Sequence, residues 1–451
     1  MITVSGISIG LPGKNSNVFS ENNFQRLIAG ENFIDTLTQS QMDEMLSKNL
    51  AIKNKKSKQD EKISSVDQVT KFAGLLGKID LAKEYRIPTK IVETMDITTQ
   101  LAVAAGLNAL RDAGIQLISS KDSPGILDYN KQRETGIIFA TSFPGFDSFA
   151  QELDASKDCN YEFNRKILFN LLVMANAQLA QLIKAKGPNT QMNAACASTS
   201  QAVGIAEDWI NSGRCTRVIV ISADVATSQK LLPWLGSGFL VLNASTIEQD
   251  LQKAAVPFGK NRSGMILGMG AAGLVLEKKS EPEGLENVQL LGTHIVNAAY
   301  HATSIDTEHL CEELEIFIQH MEKRWDLDRK VMGKDLIYMS HETFTSANGG
   351  AAKSEISALE KVFKDQLPEI LICNTKGFTG HPMGVNIEDV ASVYALRHGV
   401  VPPIANLTEP DPDLGKLNYS KGGKHNRKYV LRYAGGFGSQ VVFILFGNLK
   451  K

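Results

Sequence analysis

Short apolar runs alternate with segments of helical period along most of the chain. MITVSGISIGLPG opens it, and GIIFATSF (136–143), RVIVISAD (217–224), LIYMS (336–340) and ILICN (370–374) follow at intervals. Runs of this length and character read as buried strands. Between them, ITTQLAVAAGLNALRDAG (97–114), NRKILFNLLVMANAQLAQLIKAKG (164–187), AKSEISALEKVF (352–363) and IEDVASVYALRHG (387–399) have helical patterns. Several end in Gly after a basic residue, an ordinary helix stop. Strands alternating with helices predict the α/β class with mostly parallel sheets.

Two stretches break the pattern. Residues 36–66 are polar and rich in lysine, with KNKKSK at 53–58. They read as an irregular surface segment, either a solvated loop or a docking patch for an acidic partner. KKSEPEGLEN (278–287) reads as a polar hinge between an N-terminal half, 1–280, and a C-terminal half, 281–451. Each half carries a strand–turn–helix unit with reactive residues at its turn. That predicts a duplicated architecture, although no clear sequence repeat links the halves.

Length and composition narrow the class. A chain of 451 residues exceeds one simple core and predicts two domains or one large two-part domain. The balance of 48 basic against 49 acidic side chains gives no nucleic-acid footprint. No run of about 18 uninterrupted apolar residues predicts a membrane span, and the N-terminus lacks the basic start of a signal peptide. Five scattered cysteines without metal-type spacing favour reduced thiols and a cytoplasmic protein.

One of those cysteines stands out. In GPNTQMNAACASTSQAVG (187–204) Cys196 lies among residues of little bulk. Ala202, Val203, Ala206, Trp209 and Ile210 follow at helical spacing, and Gly213 ends the run. Cys196 is therefore expected at a helix N-terminus, where free N–H groups and the dipole favour a thiolate. This is nucleophile-elbow logic with sulfur in place of oxygen. On this stretch alone, an inert buried cysteine fits equally well.

Two histidines tip the balance. His341 follows LIYMS, and His381 lies in NTKGFTGHPMG after ILIC. Each sits where an apolar strand gives way to a loop, the place where α/β folds collect reactive groups. With Lys376 and a thiol they make an acid/base and oxyanion set.

Several segments, in order, resemble the β-ketoacyl synthases (ketosynthases) of the thiolase superfamily, above all those of polyketide and fatty-acid synthases. They are ITVSGISIGLPG, ETMDITTQLAVAAGLNALRDAGI (93–115), GPNTQMNAACASTS, VPFGKNRSGMILGMGAAGLVLE (256–277), NTKGFTGHPMG and LRHGVVPPIANLTEPDP (396–412). The resemblance implies a five-layered αβαβα fold of two similar halves, each with a mixed sheet. It implies a homodimer that meets acyl carrier protein, and decarboxylative Claisen condensation without metal or organic cofactor. Cys196 matches the acyl-accepting nucleophile, and His341 and His381 the histidine pair. Lys376 matches the lysine before the second histidine. Glu355 matches the glutamate after the first, expected to orient Lys376. Phe437, in GGFGSQ (435–440), matches a gating phenylalanine whose loop also supplies an oxyanion N–H.

The chain departs from that pattern in places. Glu342-Thr343-Phe344-Thr345 stands where Gly-Thr-Gly-Thr is usual, which predicts altered packing or pocket shape near His341. Gly-Phe-Gly-Ser-Gln replaces Gly-Phe-Gly-Gly, Asn193 replaces Asp and Ala197 replaces Ser. None of these removes a reacting group.

Three rival readings fit the residues less well. GMGAAG (268–273) satisfies G-x-G-x-x-G, but LVLEK follows it, a strand and not the helix a dinucleotide site needs. A thiolase-like acyltransferase would need a second reactive cysteine late in the chain, and the last one, Cys373, lies within a strand. A non-elongating chain-length-control or docking partner would not need to keep Cys196. The start at Met1 and the end at Lys450-Lys451 favour a free-standing synthase.

Overall fold

The computed structural model describes residues 1–53, 60–119, 123–279, 288–345 and 350–449. The first half contributes strands β1 (Ile2–Gly10), β2 (Thr135–Ala140), β3 (Asn189–Met192), β4 (Arg217–Val225) and β5 (Met269–Lys278). The second contributes β6 (Val288–Asn297), β7 (Leu336–Met339), β8 (Leu371–Cys373), β9 (Tyr429–Gly436) and β10 (Gln440–Gly447). In space the first half runs β1-β5-β4-β2-β3 and the second β6-β10-β9-β7-β8. Both halves therefore use the same order of first, fifth, fourth, second and third strand. The pairing senses match too: β2 is parallel to β3 and β4, as β7 is to β8 and β9, and the remaining pairs are antiparallel. The halves meet along β1 and β6 through a short antiparallel register, Ile2↔Leu290 to Val4↔Val288.

Three apolar cores hold five layers together. Helices α1 (Ile97–Asp112) and α2 (Ala175–Ile183) cover the outer face of the first sheet. Helices α3 (Ser198–Asn211) and α6 (Ile387–His398) lie between the two sheets and touch strands of both. Helices α4 (Thr307–Trp325) and α5 (Gly350–Phe363) cover the second sheet. The sequence explains these roles. Helix α1 starts where the Asp96 carboxylate accepts the Thr99 N–H at 2.8 Å, an N-cap. Its Gly106 allows close approach, since a Cβ there would stand 2.5 Å from Leu179 Cδ2. β4 is buried along nearly its whole length, as expected of a strand covered on both faces. Truncating one of its isoleucines to Ala would cost about 2–5 kcal/mol.

Three expectations need correction. The sheets are mixed and not mostly parallel: a tight hairpin joins β9 and β10, which makes them antiparallel, and β1, β5 and β6 pair antiparallel where the halves meet. The long helix read over 164–187 is broken: one helix spans Ile167–Leu172, Val173 takes a left-handed φ of 38°, and α2 begins at Ala175. Burial of Val173 between the pieces outweighs the continuous helical pattern. The stretch 36–66 is not wholly irregular, because Gln39–Leu46 is helical and Ala51–Lys53 pairs with Asp60–Lys62. Met45, Leu50 and Ile63 anchor it to the body. The remainder of the lysine cluster, 54–59, and the hinge residues 280–287 lie outside the described residues. Among those described, no helix is long and apolar enough to cross a membrane.

Candidate active site

The turn from β3 into α3 holds Cys196 in a constrained geometry. Ala195 has φ 50°, a conformation that costs an alanine about 1–3 kcal/mol. Local hydrogen bonds hold it there. Asn193 Oδ1 accepts the Ala195 N–H at 2.9 Å, and Asn193 Nδ2 donates to Ser142 O at 3.0 Å. Ser198 Oγ donates to Ala195 O at 2.6 Å and accepts the Ala194 N–H at 2.9 Å. Asn193, standing where the family has Asp, is thus part of the turn itself. The Cys196 carbonyl accepts from Asn386 Nδ2 at 2.8 Å, which ties the elbow to the start of α6.

A cavity of about 330 Å³ opens above the sulfur, and Cys196, His341, His381 and Phe437 all line it. His341 comes from the carboxyl end of β7 and His381 from the loop after β8, as the strand ends predicted. Their rings stand 5.7 Å apart, centroid to centroid, at 88°. Burial first, then Lys376, pushes both imidazoles down, His381 to about 3 and His341 well below its ordinary value. Both are therefore neutral at physiological pH. Neither Nδ1 has a hydrogen-bond partner among the described residues.

The resting charge of the nucleophile differs from expectation. Burial pushes the Cys196 thiol up to about 12. Lys376 and the backbone N–H groups of Phe437 and Cys196 act in the opposite direction without overcoming it. The start of α3 does not make a resting thiolate, because desolvation outweighs the local dipole.

Those two N–H groups bear on the sulfur from the elbow and from the Phe437 hairpin. Phe437 occupies the hairpin between β9 and β10, and its ring packs on Phe239 at 5.9 Å. Gly436 lets this hairpin approach the elbow: a Cβ there would lie 2.5 Å from Ala194 O. Ser439, at a position where glycine is common, keeps the left-handed backbone with φ 61°. Its hydroxyl accepts from the Tyr300 and His301 N–H groups and donates to His301 O, pinning the hairpin to the loop after β6.

Lys376 does not pair with Glu355. It is fully buried and donates to Glu388 Oε1 at 2.6 Å. Glu388 Oε2 lies 3.3 Å from Arg432, whose Nε donates to Asp389 Oδ1 at 2.9 Å. Burial acts to raise Glu388, but Lys376 and Arg432 hold it at about 2. Glu355 has another task. Its Oε2 accepts from Tyr338 Oη at 2.9 Å, Ser340 Oγ at 2.6 Å and the His341 N–H at 3.2 Å. It braces the backbone of His341, while the hydrogen bond of Lys376 goes to Glu388. Burial pushes Glu355 up to about 8.

Glu388, Arg432 and Asp389 went unrecognised in the sequence. The signal was present, since charged residues within apolar helix and strand patterns are almost never fully buried unless paired. Asp224 was also missed. It accepts from Thr141 Oγ1 and from the Ser142, Phe143 and Gly384 N–H groups, joining the loops on both sides of the elbow.

Glu342 and Phe344 alter packing behind the site, not the shape of the cavity. Glu342 is fully buried, and Phe344 sits among Ile34, Phe72, Ala254, Ala255 and Ile266. Thr343 and Thr345 face the cavity. GMGAAG runs into β5 with no helix after it, against a dinucleotide site. Cys373 is fully buried in β8 and does not line the cavity.

Comparison with known proteins agrees with this geometry. The family profile described as beta-ketoacyl synthase, N-terminal domain, matches residues 1–282, and that of the C-terminal domain matches 337–408. The chain is 27% identical over 395 residues to 3-oxoacyl-[acyl-carrier-protein] synthase 2 of Vibrio harveyi, covering 84% of this chain and 88% of the relative. It is 24% identical to the synthase of the same name from Staphylococcus aureus strain COL, covering 78% and 83%. In structure it is similar to a beta-ketoacyl synthase from Burkholderia phymatum STM815, with TM-score 0.76, 19% identity and 99% of both chains covered. It is also similar to a type II PKS ketosynthase solved in complex with its acyl-carrier protein, with TM-score 0.75, 18% identity and 99% of both chains covered. A profile match over more than half the chain, on a fold that brings Cys196 to the two histidines, establishes that the chain belongs to the beta-ketoacyl synthase family.

Proposed function

We propose that the chain catalyses decarboxylative Claisen condensation of an acyl thioester with a malonyl-type extender, in polyketide or specialised fatty-acid synthesis. The observation that carries this reading is the convergence of Cys196, two neutral imidazoles and the Phe437 loop on one cavity. In the first half-reaction the Cys196 sulfur attacks the acyl carbonyl and the carrier thiol leaves. The proton lost by Cys196 ends on that departing sulfur. The N–H groups of Cys196 and Phe437, which face the sulfur, suit the tetrahedral oxyanion. Removing one such donor costs about 3–4 kcal/mol of barrier.

In the second half-reaction the malonyl-type thioester loses carbon dioxide, and its electron pair forms an enolate. His341 and His381, kept neutral by burial, donate hydrogen bonds to the enolate oxygen without carrying charge of their own. The carbanion then attacks the acyl-Cys196 carbonyl, and the released sulfur regains a proton. Lys376 supplies positive potential from below, with Glu388 holding it. This chemistry calls on no metal or organic cofactor, because decarboxylation supplies the carbanion.

Acyl carrier protein is the proposed partner, supported by the carrier complex of the similar ketosynthase. A homodimer is proposed on one exposed face. β3 is paired on one side only, by β2, and Phe146, Phe149, Leu168, Phe169, Leu172 and Met174 are exposed nearby in sequence. An unpaired edge and a set of exposed apolar side chains each call for cover, and a second copy would cover them. Five free cysteines support a cytoplasmic, reducing setting.

The test loads the protein with an acyl thioester, adds a malonyl thioester, and measures product and carbon dioxide together. Equal amounts of 3-oxoacyl product and carbon dioxide are expected. Carbon dioxide without product would identify a non-elongating partner instead.

A further inference from the structure

The segment after β7 alternates strictly. His341, Thr343 and Thr345 face the cavity, whereas Glu342 and Phe344 face the interior. Glu342 makes a dense set of contacts there. Its Oε1 accepts the Phe344 N–H at 3.1 Å, and its Oε2 accepts the Ala352 N–H at 2.8 Å in the first turn of α5. Its carbonyl accepts from Asn374 Nδ2 at 3.0 Å, on the loop that leads to His381. Arg262 Nε lies 3.4 Å from Glu342 Oε1, and the same guanidinium donates to Asp411 Oδ2 at 2.8 Å and Gly259 O at 3.1 Å. Phe344 adds an apolar anchor, and its carbonyl accepts the Gly264 N–H at 3.0 Å. Its φ of 59° is a left-handed conformation that a bulky side chain adopts only when its surroundings impose it.

We propose that Glu342 and Phe344 are positioning residues, a two-point anchor that fixes His341, Thr343 and Thr345 towards the cavity through Arg262 and the start of α5. The inference rests on the condensation reading and deepens it. Glycines at these positions would leave the segment free to adopt several backbone states. A buried carboxylate held by two backbone N–H groups and one counter-charge, with the Glu342 carbonyl held by Asn374, leaves it one. Since His341 serves the enolate and not the acyl-transfer step, the anchor acts on one half-reaction selectively. A displacement of about 1 Å at a reacting group is enough to cost about a hundredfold.

The test measures the two half-reactions separately in the full-length chain: acyl transfer from octanoyl-CoA to Cys196, and decarboxylation of malonyl-CoA. For Glu342→Gly, the expected result is a fall in decarboxylation kcat of about ten- to a hundredfold. Acyl transfer should stay within about twofold of the parent. Glu342→Gln keeps one acceptor oxygen and should restore part of the loss. Arg262→Lys keeps a charge for Asp411 with a shorter reach to Glu342, and should show the same selective fall if the glycine variant does not fold. Unchanged decarboxylation in soluble variants would overturn the proposal, as would an equal fall in both half-reactions. A parent protein inactive in both assays would instead overturn the condensation reading itself.

Discussion

His341 and His381 stand nearly perpendicular, 5.7 Å apart between ring centroids, over the same cavity as Cys196. Two imidazoles at this spacing converge on one small oxygen without mutual repulsion when at most one of them is charged. The structure meets that condition by burial and by Lys376, which lower both. An ordinary imidazole titrates near pH ~6.5. His381 is set at about 3, so its ring resonances should stay constant from about pH 8 down to about pH 5. Proton NMR of ring-labelled protein reads this directly. A midpoint near that of free histidine would show that the site is wetter than described.

Separate roles for sulfur and imidazoles predict a separation of activities. In Cys196→Ala, transfer of acyl groups to the protein should vanish. Slow decarboxylation of malonyl thioester should persist, because His341 and His381 remain. Full condensation by this variant would remove Cys196 from its role.

Gly436 is a steric requirement for the approach of the Phe437 hairpin to the elbow. Its Cα faces the elbow so closely that a methyl group would meet Ala194 O at 2.5 Å and Ala197 N at 3.2 Å. Gly436→Ala should push the Phe437 N–H away from the sulfur and slow acyl transfer by about a hundredfold or more. Single-turnover acylation measures it, with the melting temperature as a control on folding.

The two buried glutamates near Lys376 should respond differently to neutralisation. Glu388 is held at about 2 and is charged. Glu388→Gln strands Lys376 and part of Arg432, and breaking a buried pair in this way costs about 3–5 kcal/mol. Burial puts Glu355 at about 8, so at pH 7 it is mostly the neutral acid. Glu355→Gln retains an acceptor for Tyr338, Ser340 and the His341 N–H and should cost about 1 kcal/mol or less. Denaturant melts of the two variants compare them, and an equal loss would contradict the charge assignment.

The contrast between these glutamates marks how far the sequence could be read. Cys196, His341 and His381 were legible because each sits at a strand end beside small or glycine-rich residues, a local signature. The alternation of β and α elements gave the fold class for the same reason. Glu388 and Arg432 depend on a contact between α6 and β9; their place in apolar patterns says that each is paired, and nothing local says with which residue. Carrying the family's glutamate onto Glu355 chose the wrong carboxylate for Lys376, because α6 brings Glu388 to it at 2.6 Å. The break at Val173 was invisible for a similar reason: tertiary burial overrode a continuous helical pattern. The duplicated strand order is plain in space and absent from the residues, since the two halves share a path and not side chains.

Everything in this account depends on which atom accepts the acyl group. Incubation with an acyl thioester, followed by peptide mass mapping, tests it most directly. The account predicts one acyl adduct per chain, on the peptide containing Cys196 and removed by hydroxylamine. An adduct on the exposed Cys159 or on any other residue, with Cys196 unmodified, would contradict it.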